Sequence, residues 1–162
     1  MIRDWVASDR ESVARYANNP RIAANLRDVF PSPYALDDAD RFIAAVSTRS
    51  PQTSFAIEVD GEAAGGIGLR LHDDIERMSA ELGYWLGEPC WGRGVMTEAV
   101  RAFTDWGFAT LSLCRIYAAP YATNPASVRV LENAGFVYEG RMRRSAVKLG
   151  QVLDQLLYAD VR

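Results

Sequence analysis

Between Thr53 and Leu86 the sequence holds three stretches in which apolar residues alternate with small or polar ones. These are Phe55, Ile57 and Val59, then Ile67, Leu69 and Leu71, then the run ERMSAELGYWLG. A period of two is what a strand with one buried face requires. Asp60-Gly61 between the first two runs is the dipeptide of a two-residue hairpin, and the polar loop His72-Asp73-Asp74 separates the second from the third. Three consecutive strands joined in this way are expected to form an antiparallel meander, around which the rest of the chain must be arranged.

The flanking segments carry the helical period instead. Ser8 followed by Glu11 makes an S-x-x-E capping signature ahead of Val13, Ala14, Tyr16 and Ala17, which predicts a first helix. Ala39, Phe42, Ile43 and Val46 recur at i, i+3, i+4 and i+7 and predict another. After the meander, Met96, Ala99, Val100, Phe103 and Gly107 share one helical face, and RIYAAP (115–120) reads as a strand, giving a strand-helix-strand unit. Asn124 as N-cap with Pro125 at the first helical position opens a further helix that stops at Gly135. The C-terminal segment reads as two strands joined around Gly150. Elements in this order make an α+β, mixed α/β fold of six or seven strands. With 162 residues, 49% hydrophobic and 24% charged, residues 1–162 are expected to form a single domain.

The totals exclude several classes of partner. A formal net charge of −3 argues against a general phosphate-attracting surface, and no clustered basic residues interleave with Tyr84, Trp85, Trp91, Trp106 or Phe108, so no nucleic-acid partner is expected. No apolar run approaches the ~18 residues of a membrane span, and MIRDWVASDRES lacks a signal-peptide core. Cys90 and Cys114 fit neither a zinc spacing nor a disulfide framework. They are expected to be free thiols in a reducing, cytoplasmic compartment, with no metal bound.

The chemistry gathers at Trp91-Gly92-Arg93-Gly94. A strand that ends, a loop with two glycines and a helix that begins make an anion site, because exposed N–H groups converge where the helix dipole is positive. No Gly-Lys-Ser/Thr follows, so it is not a P-loop, and Met96 and Thr97 stand where a dinucleotide fingerprint has its third glycine. On spacing alone a plain turn remains equally open.

Taken in order, ELGYWL, WGRGVMTEA, NPASVRVLENAGF and YEGRMR resemble the GNAT-type N-acetyltransferase superfamily over nearly the whole chain. Within it they are most similar to the branch of bacterial ribosomal-protein N-terminal (alanine/serine) acetyltransferases. The resemblance implies a mostly antiparallel sheet whose two central strands splay apart, with the pantetheine arm of acetyl-CoA between them and its pyrophosphate on the glycine loop. Acetyl-CoA is then the cosubstrate, and the acceptor an amine on a protein N-terminus or a small molecule. Monomer and homodimer both stay open. The family's Q/R-x-x-G-x-G/A loop falls on Trp91, Gly92, Arg93, Gly94, Val95 and Met96, followed by Thr97. Trp91 replaces the usual Gln or Arg, and Met96 stands where Gly or Ala is usual, which leaves less room beside the phosphates. Trp85 and Leu86 match positions whose backbone pairs with the pantetheine amides.

Acetyl transfer needs an amine with a free lone pair, a polarised thioester oxygen and a donor for the departing thiolate. Where many superfamily members place a donor Tyr, this chain has Leu131. The branch's Asn-x-x-Ser pattern falls instead on Asn124 and Ser127, which also implies cofactor contact, with Tyr138 and Tyr121 as further donors to consider. Helix capping alone also accounts for Asn124. For the base, Glu139 in YEGRMR matches the branch's glutamate, and Glu81 in AELGYWL is its rival. Either is equally well read as an arginine partner. An α-amine with a pKa near ~8 needs less help than a lysine amine near ~10.4. His72 is the single histidine and the sequence specifies no partner for it, which favours direct attack in a ternary complex over a covalent intermediate. The segment LRDVFPSPYALDDADRF is expected to border the acceptor cleft. Met96 and Leu131 also suggest a rival reading, an acyl-CoA-binding module with little or no catalysis.

Overall fold

The computed structural model describes residues 1–162. Its strands are β1 (Ile2–Arg3), β2 (Ser54–Val59), β3 (Glu62–Leu71), β4 (Ser79–Leu86), β5 (Arg115–Ala118), β6 (Val137–Lys148) and β7 (Gln151–Val161). Its helices are α1 (Arg10–Ala17), α2 (Pro20–Ala23), α3 (Leu36–Ser47), α4 (Val95–Thr110) and α5 (Pro125–Ala134). The seven strands form one open, mostly antiparallel sheet in the order β1-β2-β3-β4-β5-β7-β6. The two hairpin turns read from the sequence are present: Asp60 and Gly61 have φ of 52° and 84°, and Leu149 and Gly150 have 50° and 75°. These left-handed pairs match the twist of the strands they join.

Two units of structure are distinguishable, 1–68 with 84–95, and 69–83 with 96–162. In the first, α1 and α3 bury the faces that their periodicity marks: Val13, Ala14 and Ala17, and Ala39, Ile43 and Val46. These join Trp5, Tyr34, Ala56 and Ala63 in one cluster, with Phe30, Phe42 and Trp85 packed against it. Burying a Val or Ile side chain of this kind contributes about 1.5 to 3 kcal/mol. Gly65 on β3 permits a close backbone approach, because a Cβ there would lie 2.5 Å from the Trp85 carbonyl oxygen.

In the second unit, β4 and β5 run parallel over Ser79↔Arg115, Ala80↔Ile116 and Glu81↔Tyr117. The ladder between these two strands ends there, although β4 continues to Leu86 and β5 to Ala118. β7 lies between β5 and β6, pairing antiparallel with each. On α4 the buried stripe is Met96, Ala99, Val100, Phe103, Thr104 and Gly107.

The start of α1 differs from the Ser8/Glu11 capping box read from the sequence. A 3-10 turn over Ala7–Asp9 precedes the helix. Its anchor is Asp9, buried to 5% exposure, which accepts from the Val6 backbone N–H at 3.0 Å and from two Arg3 nitrogens at 2.8 Å. Arg3 also pairs with Glu58. A buried carboxylate that finds a guanidinium from β1 closes the turn more tightly than an exposed serine could, since both partners are charged.

Burial by itself raises the Asp9 carboxyl, and the Arg3 and Val6 bonds outweigh it, so the group ends below the usual carboxylate range. A depressed carboxyl stabilises the fold above its unfolded pKa of ~3.9 and loses that contribution as pH falls through the lower folded value. Asp9→Ala is therefore expected to cost about 2 to 4 kcal/mol in urea unfolding near neutral pH. The gap to wild type should narrow in strong acid; a gap of equal size at both pH values would show that the ionised bridge is not its source.

Candidate active site

A single 3-10 turn over Glu88–Cys90 joins the end of β4 to the glycine loop. Gly87 donates its N–H to the Ala64 carbonyl at 2.7 Å, and the Trp85 carbonyl lies against Gly65, so the backbone of these alternate residues is turned toward β3. Leu86, one residue out of phase, turns its carbonyl the other way, where the Trp91 indole N–H donates to it at 2.7 Å. Of the two residues expected to offer backbone to a pantetheine arm, Leu86 thus faces away from β3 and Trp85 faces it.

Beyond Trp91, Gly92 and Gly94 have φ of 73° and 77°, and nothing lies within 4 Å of where a Cβ would stand on either. Positive φ at both is what turns the chain from the strand into α4, and it favours glycine for that reason. Gly92, Arg93 and Gly94 are exposed, Val95 is half-buried, and the 16-residue α4 starts at Val95. Arg93 meets Asp60 only at 3.4 Å.

Three residues that the sequence does not single out support this loop. Glu88 is held by Arg21 and by the Asn19 amide, the latter at 2.6 Å. The Arg21 guanidinium lies 5.1 Å from the Trp91 ring centroid, which sets a cation beside the loop. Asn19 also caps α2 by accepting from Arg21 N–H at 2.9 Å. Arg21 and Glu88 are 67 positions apart, and no local signal connects them.

In the second unit, Asn124 Oδ1 accepts from the Ser127 backbone N–H at 3.2 Å, so Asn124 is the N-cap of α5 and Ser127 sits in its first turn, half-buried. Leu131, one turn further along the same helix, is fully buried. Glu81 and Glu139 are both held by arginines. Arg70 binds Oε2 of Glu81, with its Nε at 3.1 Å. Arg115 spans both oxygens of Glu139, with Nη1 to Oε1 at 2.8 Å. The Arg115 bonds bring the Glu139 carboxyl below the usual carboxylate range, against a small opposing effect of burial. Glu81 is the more enclosed side chain, 16% exposed against 34% for Glu139.

Tyr117 is a further residue that sequence reasoning missed. It is paired with Glu81 at the last rung of the β4–β5 ladder, and its hydroxyl lies 2.9 Å from His72 Nε2 with the two rings stacked. Burial first, and then the Glu81 charge, raise its phenol above the ordinary value while Arg70 opposes them. Its position two residues after Arg115 on an alternating strand was the available signal, since the two side chains must share a face.

An acetyltransferase (GNAT) domain matches residues 1–137. The chain belongs to the GNAT acetyltransferase family. It is 28% identical over 161 residues to the uncharacterised N-acetyltransferase p20 of Bacillus licheniformis, covering 98% of this chain and 90% of that protein. It is 26% identical over 152 residues to the spermidine N(1)-acetyltransferase of Escherichia coli (strain K12), covering 93% and 79%. The structure of Mycobacterium smegmatis RimJ in complex with CoA-disulfide shares the fold, with a TM-score of 0.85 at 24% identity over 99% of this chain and 80% of that one.

The GNAT loop's two departures can now be placed. Trp91 keeps the turn closed through its bond to the Leu86 carbonyl. Met96 is 7% exposed and heads the buried stripe of α4, so its side chain serves the core. Met96→Ala, which restores the family's small residue, should accordingly cost about 2 to 3 kcal/mol of stability. Calorimetry should show no gain in CoA affinity; a clear gain would place the methionine beside the phosphates after all. Arg115→Ala should return the Glu139 carboxyl upward toward the ordinary ~4.3. A carbon-13 NMR titration reads that shift, and an unmoved titration would mean that Arg115 does not set it.

Proposed function

We propose that this N-acetyltransferase moves the acetyl group of acetyl-CoA to a primary amine by direct attack in a ternary complex, residues 1–162 acting as one catalytic domain in the cytoplasm. The observation that carries this reading is the loop Gly92–Gly94: two left-handed glycines with open space at each Cβ position, opening straight into a 16-residue helix. Exposed backbone N–H groups at the positive end of a helix suit the diphosphate of CoA. Gly92, Arg93, Gly94, Val95 and the first turn of α4 with Met96 and Thr97 would hold it through backbone, Trp91 would fix the turn through its bond to the Leu86 carbonyl, and the Leu86 N–H would be left to meet the pantetheine arm.

In the reaction the amine nitrogen bonds to the thioester carbon, the carbon–sulfur bond breaks, the ammonium proton passes to a base, and the thiolate takes a proton from a donor. Ser127, in the first turn of α5, is our candidate for that donor, with Asn124 holding the turn that presents it. Glu81 and Glu139 are the candidate bases. Both are ion-paired. An arginine-paired carboxylate is a weak base, which supports an acceptor of modest basicity, such as a polypeptide α-amine, relayed through water. The two free cysteines, Cys90 and Cys114, support the cytoplasmic placement.

Free-thiol release on a panel of primary amines tests the reading. Release with any amine supports turnover, and CoA binding with no release from any of them would leave a binding module. Ser127→Ala should lower the single-turnover rate at saturating acetyl-CoA and amine by about ten- to a hundredfold, with CoA affinity nearly unchanged. A wild-type rate would reduce Ser127 to a residue of the helix start.

A further inference from the structure

The chain has one histidine, and the fold gives it a partner that lies far away in sequence. His72 follows the end of β3, where its backbone N–H donates to the Ser79 carbonyl at 3.2 Å and sets it beside the start of β4. Its Nε2 lies 2.9 Å from the Tyr117 hydroxyl, with the two rings 11° from parallel. Both residues are half-buried, within reach of solvent and of a bound molecule.

Alternation decides which face of the sheet carries the chemistry. Ala80 and Leu82 on β4, and Ile116 and Ala118 on β5, turn into the core. Glu81, Gly83 and Tyr117 therefore turn to the opposite face. Glu81 and Tyr117 form the last rung of the ladder. Gly83 is the next residue of that face on β4; it is exposed, and nothing lies within 4 Å of where its Cβ would stand. A strand residue without a side chain leaves room for another molecule to come close to the sheet. The face thus has open space just beyond a phenol and a carboxylate.

The groups on this face differ as proton acceptors. Arg70 holds Glu81 and Arg115 holds Glu139, so either carboxylate weakens a guanidinium bond when it takes a proton. A neutral imidazole has no such bond to lose, and it is the side chain suited to changing charge between pH 5 and 8. Burial first, and then the Glu81 charge, raise the Tyr117 phenol against the opposing Arg70, so it stays protonated and can pass a proton on only by receiving another. The charges facing the pair are Arg70 from β3, Glu76 from the loop after it, Glu81 from β4 and Arg115 from β5, whose guanidinium lies 5.7 Å from the Tyr117 ring centroid. Asp73 and Asp74 follow His72 along the chain.

We infer that Tyr117 and His72 form a proton relay that deprotonates the acceptor amine. The ammonium gives a proton to the phenolic oxygen of Tyr117 while that hydroxyl gives its own to His72 Nε2. One N–H and one O–H bond break, a new O–H and an Nε2–H bond form, and the positive charge passes from the ammonium to the imidazole. The freed lone pair then attacks the thioester carbon, and the imidazolium later returns its proton to solvent. Tyr117 is the group that meets the amine, and His72 acts through it. The inference rests on the acetyl-transfer reading and gives that reaction its base, leaving Glu81 and Glu139 to hold Arg70 and Arg115 in place.

Because the histidine is single, nitrogen-15 NMR of the intact protein reads it without ambiguity. In the neutral form its proton should sit on Nδ1, leaving Nε2 to accept from Tyr117, and Tyr117→Phe should move that proton toward Nε2. A proton held on Nε2 in the wild type would overturn the relay. Single-turnover thiol release at saturating acetyl-CoA and amine reads the rest. His72→Gln, which keeps an acceptor for the Tyr117 hydroxyl but no base, should lower the rate near neutral pH by about a hundredfold, and so should Tyr117→Phe. The double variant should be no slower than either, since the two residues act as a unit. In the wild type the rate should fall toward acid as the imidazole takes up a proton. In His72→Gln the fall should move to alkaline pH, where the bound ammonium must lose its proton to solvent. Unchanged CoA affinity by calorimetry confirms that each variant is folded. A wild-type rate in either single variant, additive losses in the double variant, or an unmoved pH limb in His72→Gln would overturn the inference. Absence of thiol release from the wild type with every amine would instead sink the acetyl-transfer reading, and the NMR would still decide the pairing.

Discussion

The parallel ladder between β4 and β5 is three pairs long, and much of the molecule follows from it. Parallel strands cannot be joined by a tight turn and need a crossover, which here is the glycine loop and the 16-residue α4. That crossover must begin where β4 ends, so a helix N-terminus with its unpaired N–H groups comes to stand just beyond the strand. The left-handed glycines at 92 and 94 are the local means of making the turn, and Met96 is the first residue of the stripe that anchors the helix. Because the ladder stops at Glu81↔Tyr117, the polar groups gathered there, Arg70, Glu81, Tyr117 and His72, lie at its last rung.

Arginine pairing governs the electrostatics of both units. Asp9 is tolerated in the interior because Arg3 meets it with two nitrogens, and Glu81, Glu139 and Asp154 each carry a guanidinium. Pairing holds the Asp9, Glu139 and Asp154 carboxyls below the usual carboxylate range, which makes them poor proton acceptors.

Much of the fold was legible along the chain. The periods of two and of 3.6 marked β2, β3, β4, α3 and α4, and Asp60-Gly61, Asn124-Pro125 and Gly135 marked their turns and caps, because each of these signals lies within a few residues. The exceptions have a common cause. The cap of α1 passed from Ser8 to Asp9 because Arg3, on a two-residue strand with no period to read, supplied a charge to it. The insertion of β7 between β5 and β6 has no local mark either, although the larger share of exposed and cationic residues on β6 suits an edge.

The candidate site divides in the same way. The sequence by itself determined the glycine loop, the Asn124 and Ser127 pair at a helix start, and the two glutamates, since spacing, residue type and the resemblance to acetyltransferases of this family all act over short stretches. Only the tertiary structure decided what those groups touch: Arg70 on Glu81, Arg115 on Glu139, Arg21 and Glu88 behind Trp91, and a methionine that turns into the core instead of toward the loop. The physical reason is that a backbone turn is specified by the few residues that must adopt its dihedral angles, whereas a side chain's charge state and orientation are set by neighbours that the fold brings from 11 to 67 positions away.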